Sequence, residues 1–116
     1  MYKMYEEMRV ETRHNLRGGT GDPTAREILS PEELGGRAQL LNVMTLHPGE
    51  SVGEHAHTEN AELYFVLRGS LTVCDGGERR VLKTGDAEFC CGGNTHAVYN
   101  HTDEDADFLA LILPNR

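Results

Sequence analysis

His55, His57 and Glu62 stand close together in the segment GESVGEHAHTENAELYFVLRG, residues 49–69. The surrounding run otherwise reads as β-strand, where valine and leucine would normally be buried. His55 and His57 are two apart, so on a strand both imidazoles project from one face. Thr58-Glu59-Asn60-Ala61 has the length and composition of a turn, after which Glu62 can return its carboxylate beside the two rings. Imidazole nitrogens with one carboxylate and no thiolate suit a divalent transition ion of the Mn, Fe, Ni, Co, Zn or Cu kind. A fourth protein ligand is needed, and His96 is the best candidate. It opens a later strand after the turn Gly92-Gly93-Asn94-Thr95.

These residues resemble the two motifs of the cupin superfamily. The first, G(X)5HXH(X)4E(X)6G, is met by Gly49, His55, His57, Glu62 and Gly69. The second, G(X)5PXG(X)2H(X)3N, is met by Gly85, Gly93, His96 and Asn100, with Cys91 in place of the proline. That proline would mainly stiffen a turn, so its loss bears on local geometry more than on metal binding. The resemblance implies a small single-domain cupin: an all-β, double-stranded β-helix (jelly-roll barrel) with one metal ion per chain near its middle and an open mouth for a small ligand. The stretch before the barrel is similar to that of short bacterial single-domain cupins carrying an "RGG.G" segment.

Other residues fall around this expected site. Tyr64, two residues after Glu62, points the same way; it either faces the pocket or packs in the core with its hydroxyl paired to backbone. Phe89 and Met44 are candidates for pocket wall or core, and Cys91 for lining the site. Asn100 shares the strand face of His96, as a support for the metal ligands or as a structural turn residue. His14, His47 and His101 are each isolated near expected turns and read as surface histidines.

The elements that must position these groups are short strands between glycine turns. Leu40–Leu46, Glu62–Leu67, Leu71–Cys74, Arg79–Lys83, Ala87–Cys90, His96–Asn100 and Phe108–Leu113 read as strands, with Asp75-Gly76-Gly77 as a hairpin turn. Near-regular spacing of this kind argues for an antiparallel sandwich or barrel. Residues 1–38 differ in texture. Met8–Thr12 and Ala25–Leu29 are strand-like, 16–24 is a loop, and Ser30-Pro31-Glu32-Glu33 is a capped helical turn. The expected organisation is one domain over 1–116, with 1–38 as N-terminal strands and loop and 39–113 as the motif-bearing barrel.

The chain of 116 residues carries 11 basic and 19 acidic residues, a formal net charge of −8, which disfavours nucleic acid as a partner. Neither a membrane-length apolar run nor a signal-peptide core is present, so a cytoplasmic location is expected. Cys74, Cys90 and Cys91 form no CxxC pair and read as free thiols. The exposed sheet edges of so short a barrel predict a homodimer, with the N-terminal pieces adding to the partner's sheet; the competing reading is that both pieces fold back on their own barrel and leave a monomer. Four protein ligands leave coordination positions for substrate or oxygen. The expected function is therefore a small metal-dependent enzyme of dioxygenase (oxidoreductase) or sugar-isomerase type acting on a small polar organic molecule. The alternative is a non-catalytic metal-dependent binding or sensing module.

Overall fold

A computed structural model describes residues 1–115. Ten strands follow one another along the chain: β1 (Val10–Thr12), β2 (Thr24–Glu27), β3 (Leu40–Leu46), β4 (Ser51–Ala56), β5 (Asn60–Arg68), β6 (Ser70–Asp75), β7 (Glu78–Lys83), β8 (Ala87–Cys90), β9 (Thr95–Tyr99) and β10 (Ala106–Pro114). They form two antiparallel sheets, six-stranded β1-β2-β3-β10-β5-β8 and four-stranded β4-β9-β6-β7. This is the all-β, two-sheet architecture expected from the sequence. Its helical content is short: α1 (Pro31–Leu34) and 3-10 turns at Tyr5–Glu7 and Leu16–Gly18. Among the described residues, no helix is long and apolar enough to cross a membrane.

Alternation decides which face of each strand is buried. Met44 and Leu46 of β3, Val66 of β5 and Phe108 and Ala110 of β10 meet Val52, Leu71, Val73 and Val98 of the other sheet in one apolar cluster. The β6–β7 turn is tight because Gly76 and Gly77 both take positive φ, 58° and 90°, as a two-residue hairpin joining Asp75 to Glu78 demands. At α1, the Ser30 side chain accepts from the Glu33 backbone while Glu33 accepts from the Ser30 backbone, the capping box that the sequence implies.

Two features differ from expectation. The N-terminal strand-like pieces form β1 and β2, and within this chain both extend the six-stranded sheet through β3, the fold-back alternative. This keeps their ladder bonds within one chain. The second difference lies in β4. Val52 opposes Val98, yet His55 opposes His96, so one surplus residue sits between them as a β-bulge. Because side-chain direction alternates, the bulge resets the phase: Val52 and the later odd-numbered histidines all face inward.

Candidate metal centre

His55 and His96 are direct cross-strand partners on β4 and β9. His57 follows β4, and its backbone N–H and C=O bond to Asn94 and Gly93, so the β8–β9 turn holds it in line. This turn contains Cys91, and its bonds to His57 hold it without the motif's proline. Glu62 arrives from the adjoining sheet on β5. All four side chains are at most one-tenth exposed, and one ligand atom from each lies within 4.8 Å of the others.

The three imidazoles aim the same nitrogen at the centre. Nε2 of His57 and of His96 each lie 3.0 Å from Glu62 Oε1, and Nε2 of His55 lies 3.3 Å from it. Nε2 of His55 and His96 are 3.1 Å apart. Each opposite nitrogen, Nδ1, faces an acceptor. His55 Nδ1 donates to the Gly53 carbonyl at 2.7 Å and His57 Nδ1 to Asn60 Oδ1 at 2.6 Å. His96 Nδ1 lies 3.0 Å from both oxygens of Glu88. Asn60 is itself oriented by donating to Gln39 Oε1. These partners place the proton on Nδ1 and leave the Nε2 lone pair for a cation, an arrangement that metal-ligating histidines share.

The electrostatics follow from the same contacts. Burial alone would raise the Glu62 carboxyl, but hydrogen bonds to His55 and His96 and the charge of His96 hold it down at about 2. Burial would lower His96, yet its bonds to Glu62 and Glu88 outweigh this and lift it to about 9. Glu88 is raised, first by its burial and then by Asp75, while His96 pulls it the other way. Burial, then the negative field of Glu88 and Asp75, pushes the Cys90 thiol up to about 12, and its Sγ donates to the Asn94 carbonyl. Such a thiol is a poor nucleophile.

Of the other residues singled out in the sequence, Tyr64 reaches the site. It is 3% exposed and stacks on the His96 ring, with centroids 4.5 Å apart and planes at 10°. Burial, then Glu62 and Glu88, raises its hydroxyl well above the ordinary phenol range. Met44 lines the adjoining cavity. Phe89 does not: on β8 the inward positions are Glu88 and Cys90, so Phe89 turns outward and is 52% exposed. Cys91 lies past the strand end and is exposed, away from the site. Asn100 is fully buried but ties a loop. Its Nδ2 donates to the carbonyls of Leu46 and Glu104, and its Oδ1 accepts from Thr102. His14, His47 and His101 lie apart from the centre, paired with Asp22, paired with Glu50 and stacked on Tyr99 respectively.

Sequence reasoning missed Gly53, Asn60 and Glu88. A charged residue at an inward strand position would have marked Glu88, had the pairing of β8 with β5 been known. Gly53 also lets the N-terminal loop close in, since a Cβ there would overlap the Arg17 carbonyl oxygen and sit 2.8 Å from the Gly19 nitrogen. That loop brings Arg13, Leu16 and Arg17 to a cavity of about 110 Å³ that reaches His55, His57 and Glu62.

A family model described as "Cupin domain" matches residues 42–112. The chain is 36% identical over 107 residues to an oxalate-binding protein of Thermotoga maritima, covering 92% of this chain and 88% of that protein. It is 32% identical over 91 residues to the tetracenomycin polyketide synthase protein TcmJ of Streptomyces glaucescens, covering 78% and 61%. A crystal structure of a predicted oxalate decarboxylase from Thermotoga maritima superimposes with a TM-score of 0.93 at 35% identity, covering 98% of this chain and 99% of that one.

Proposed function

The chain belongs to the cupin-domain family, and from that premise we propose that it is a small metal-dependent enzyme of dioxygenase or isomerase type. It would hold one divalent transition ion (Mn, Fe, Ni, Zn, Co or Cu) through His55, His57, Glu62 and His96, and act on a small polar organic molecule that offers an oxygen donor. One observation carries this reading: three Nε2 atoms and one carboxylate oxygen converge while every Nδ1 is occupied elsewhere. Borderline nitrogens with one hard oxygen are the donor set such ions prefer.

A metal at this centre would supply Lewis-acid polarisation of a bound oxygen or a place for O2 to react. The chain's own groups do the rest. Gly53, Asn60 and Glu88 keep the imidazoles in one tautomer. Tyr64 and Phe108, edge to face at 4.8 Å, exclude water behind His96. The cavity is far smaller than the roughly 300 Å³ at which drug-sized pockets begin, which disfavours a nucleotide or a long lipid. The Thermotoga maritima relative is named for oxalate, a ligand of the expected size and donor type.

A second reading, a non-catalytic module that binds or senses the same ligands, rests on one observation. Apart from the candidate ligands, the described side chains lining the cavity include no carboxylate or imidazole to serve as a separate base. Elemental analysis of the purified protein and of His57→Ala tests the shared premise, with about one metal per chain expected in the first and a clear loss in the second. Equal occupancy would sink it. Incubating metal-loaded protein with small acids and hydroxy-ketones under air then separates turnover from binding alone.

A further inference from the structure

Asn42 lines the cavity from β3, is 3% exposed, and its side-chain oxygen has no hydrogen-bond partner among the described residues. A buried acceptor left unpaired is costly, and a native fold keeps one mainly where something else completes it. Its surroundings show where that partner would lie. Asn42 pairs across the sheet with Ala110, and Ala110 with Tyr64, so a single methyl separates the amide from the tyrosine that backs the metal centre. Leu40 and Met44, two positions to either side of Asn42, keep the wall apolar. Ala110 and these two side chains offer Asn42 Oδ1 no donor.

At its exposed end the same cavity is lined by Arg13 and Arg17. Arg13 is committed to Glu11 at 3.0 Å. Arg17 has no ion pair or side-chain hydrogen bond among the described residues, on a chain of net charge −8. Its backbone takes the left-handed conformation, φ 55°, within a loop packed against Gly53. An uncompensated guanidinium beside a small cavity draws a carboxylate.

Resting on the metal-centre reading, we propose that the cavity takes a small 2-hydroxycarboxylate, with the acid's negative charge attracted by Arg17 and its hydroxyl donating to Asn42 Oδ1. Asn42 then selects for the hydroxyl and Arg17 for the charge. A dicarboxylate dianion such as oxalate offers the charge without the donor.

The test uses Co(II)-loaded full-length protein and calorimetric titration with glycolate, acetate and oxalate. Wild type is expected to bind glycolate about tenfold tighter than acetate, roughly one hydrogen bond's worth. Asn42→Leu should bring that ratio to about one and, by removing the unpaired acceptor, raise the melting temperature of the metal-free protein by several degrees. Arg17→Met should weaken both acids alike. Should Asn42→Leu not fold, Asn42→Ala reports the same ratio. An unchanged ratio in the Asn42 variant, a lower metal-free melting temperature for Asn42→Leu, unaltered affinities in Arg17→Met, or oxalate binding tighter than glycolate would each overturn the proposal. Failure of wild type to take up cobalt would overturn the metal-centre reading itself.

Discussion

The His96 ring is held from both ends, with Nε2 on Glu62 and Nδ1 equidistant, at 3.0 Å, from the two oxygens of Glu88. Glu88 is thus to His96 what the Gly53 carbonyl is to His55, with the difference that it carries charge. Outer partners of this kind typically contribute 10- to 100-fold to metal affinity. Glu88→Gln should therefore weaken cobalt or manganese binding by about tenfold and Glu88→Ala by about a hundredfold, read by competition with a chelator. Full wild-type affinity in Glu88→Ala would show that the ring needs no such partner.

Metal uptake should expel a proton. In the metal-free protein His96 stays protonated up to about pH 9, and ligation requires it neutral. Below that value affinity should fall about tenfold per pH unit through this group alone, and titrations in buffers of different ionisation heat should show proton release at pH 7.5. The linked effect on folding has a definite sign. A folded value raised above the ordinary 6.5 makes His96 stabilise the metal-free fold fully below pH 6.5, a contribution lost as pH rises through about 9. Glu62, depressed to about 2, contributes in the opposite sense: fully above its ordinary 4.5, and lost as pH falls through about 2. Thermal melts of chelator-treated protein between pH 6 and pH 10 should decline through the upper limb.

Gly53→Ala should cost about 1–3 kcal/mol, because the added methyl must push the Arg17 carbonyl out of the space it fills. The strain falls on the residue whose own carbonyl orients His55, so metal affinity should fall along with stability. A chemical denaturation curve and a metal titration on one sample check both halves.

Asn100→Ala offers the contrast. It strips partners from the Leu46 and Glu104 carbonyls and from Thr102, and should destabilise by about 1–3 kcal/mol while leaving metal stoichiometry at the wild-type level. Loss of metal from a variant that remains folded would mean that Asn100 does more than tie its loop.

Self-association should give a homodimer. Across the outside of the larger sheet, Val43, Leu109 and Phe65 fall in one register row and Leu41, Leu111 and Leu63 in the next, a broad apolar face on an otherwise acidic chain. Sedimentation at micromolar concentration should report twice the 12.9 kDa chain mass, and Phe65→Glu should return it to a monomer. A wild type that stays monomeric at high concentration removes the dimer.

The strands and the four candidate ligands were legible because spacing is a one-dimensional property. β3 and β8 appear with the predicted limits, and the HxH…E…H pattern needs only counting. What stayed hidden depends on pairing. Phe89 looked like pocket wall until the register of β8 with β5 turned it outward. Glu88 and Asn42 look like ordinary polar residues on short strands, and only the closed sandwich shows that both point inward. Arg17 belongs to a loop whose role depends on packing against Gly53, a contact between segments far apart in the chain.

The surplus residue in β4 has a genetic consequence. Strand β4 behaves like a message with a reading frame of two, and the bulge is a frameshift that brings the histidines into phase with the core. Deleting Glu54 alone would leave an even ladder with His55 still opposite His96 and both imidazoles inward, whereas deleting Ala56 would make the two histidines neighbours and turn one of them to the outer face. Relatives of this chain should therefore keep one residue between the two histidines, while tolerating one residue fewer between Val52 and His55.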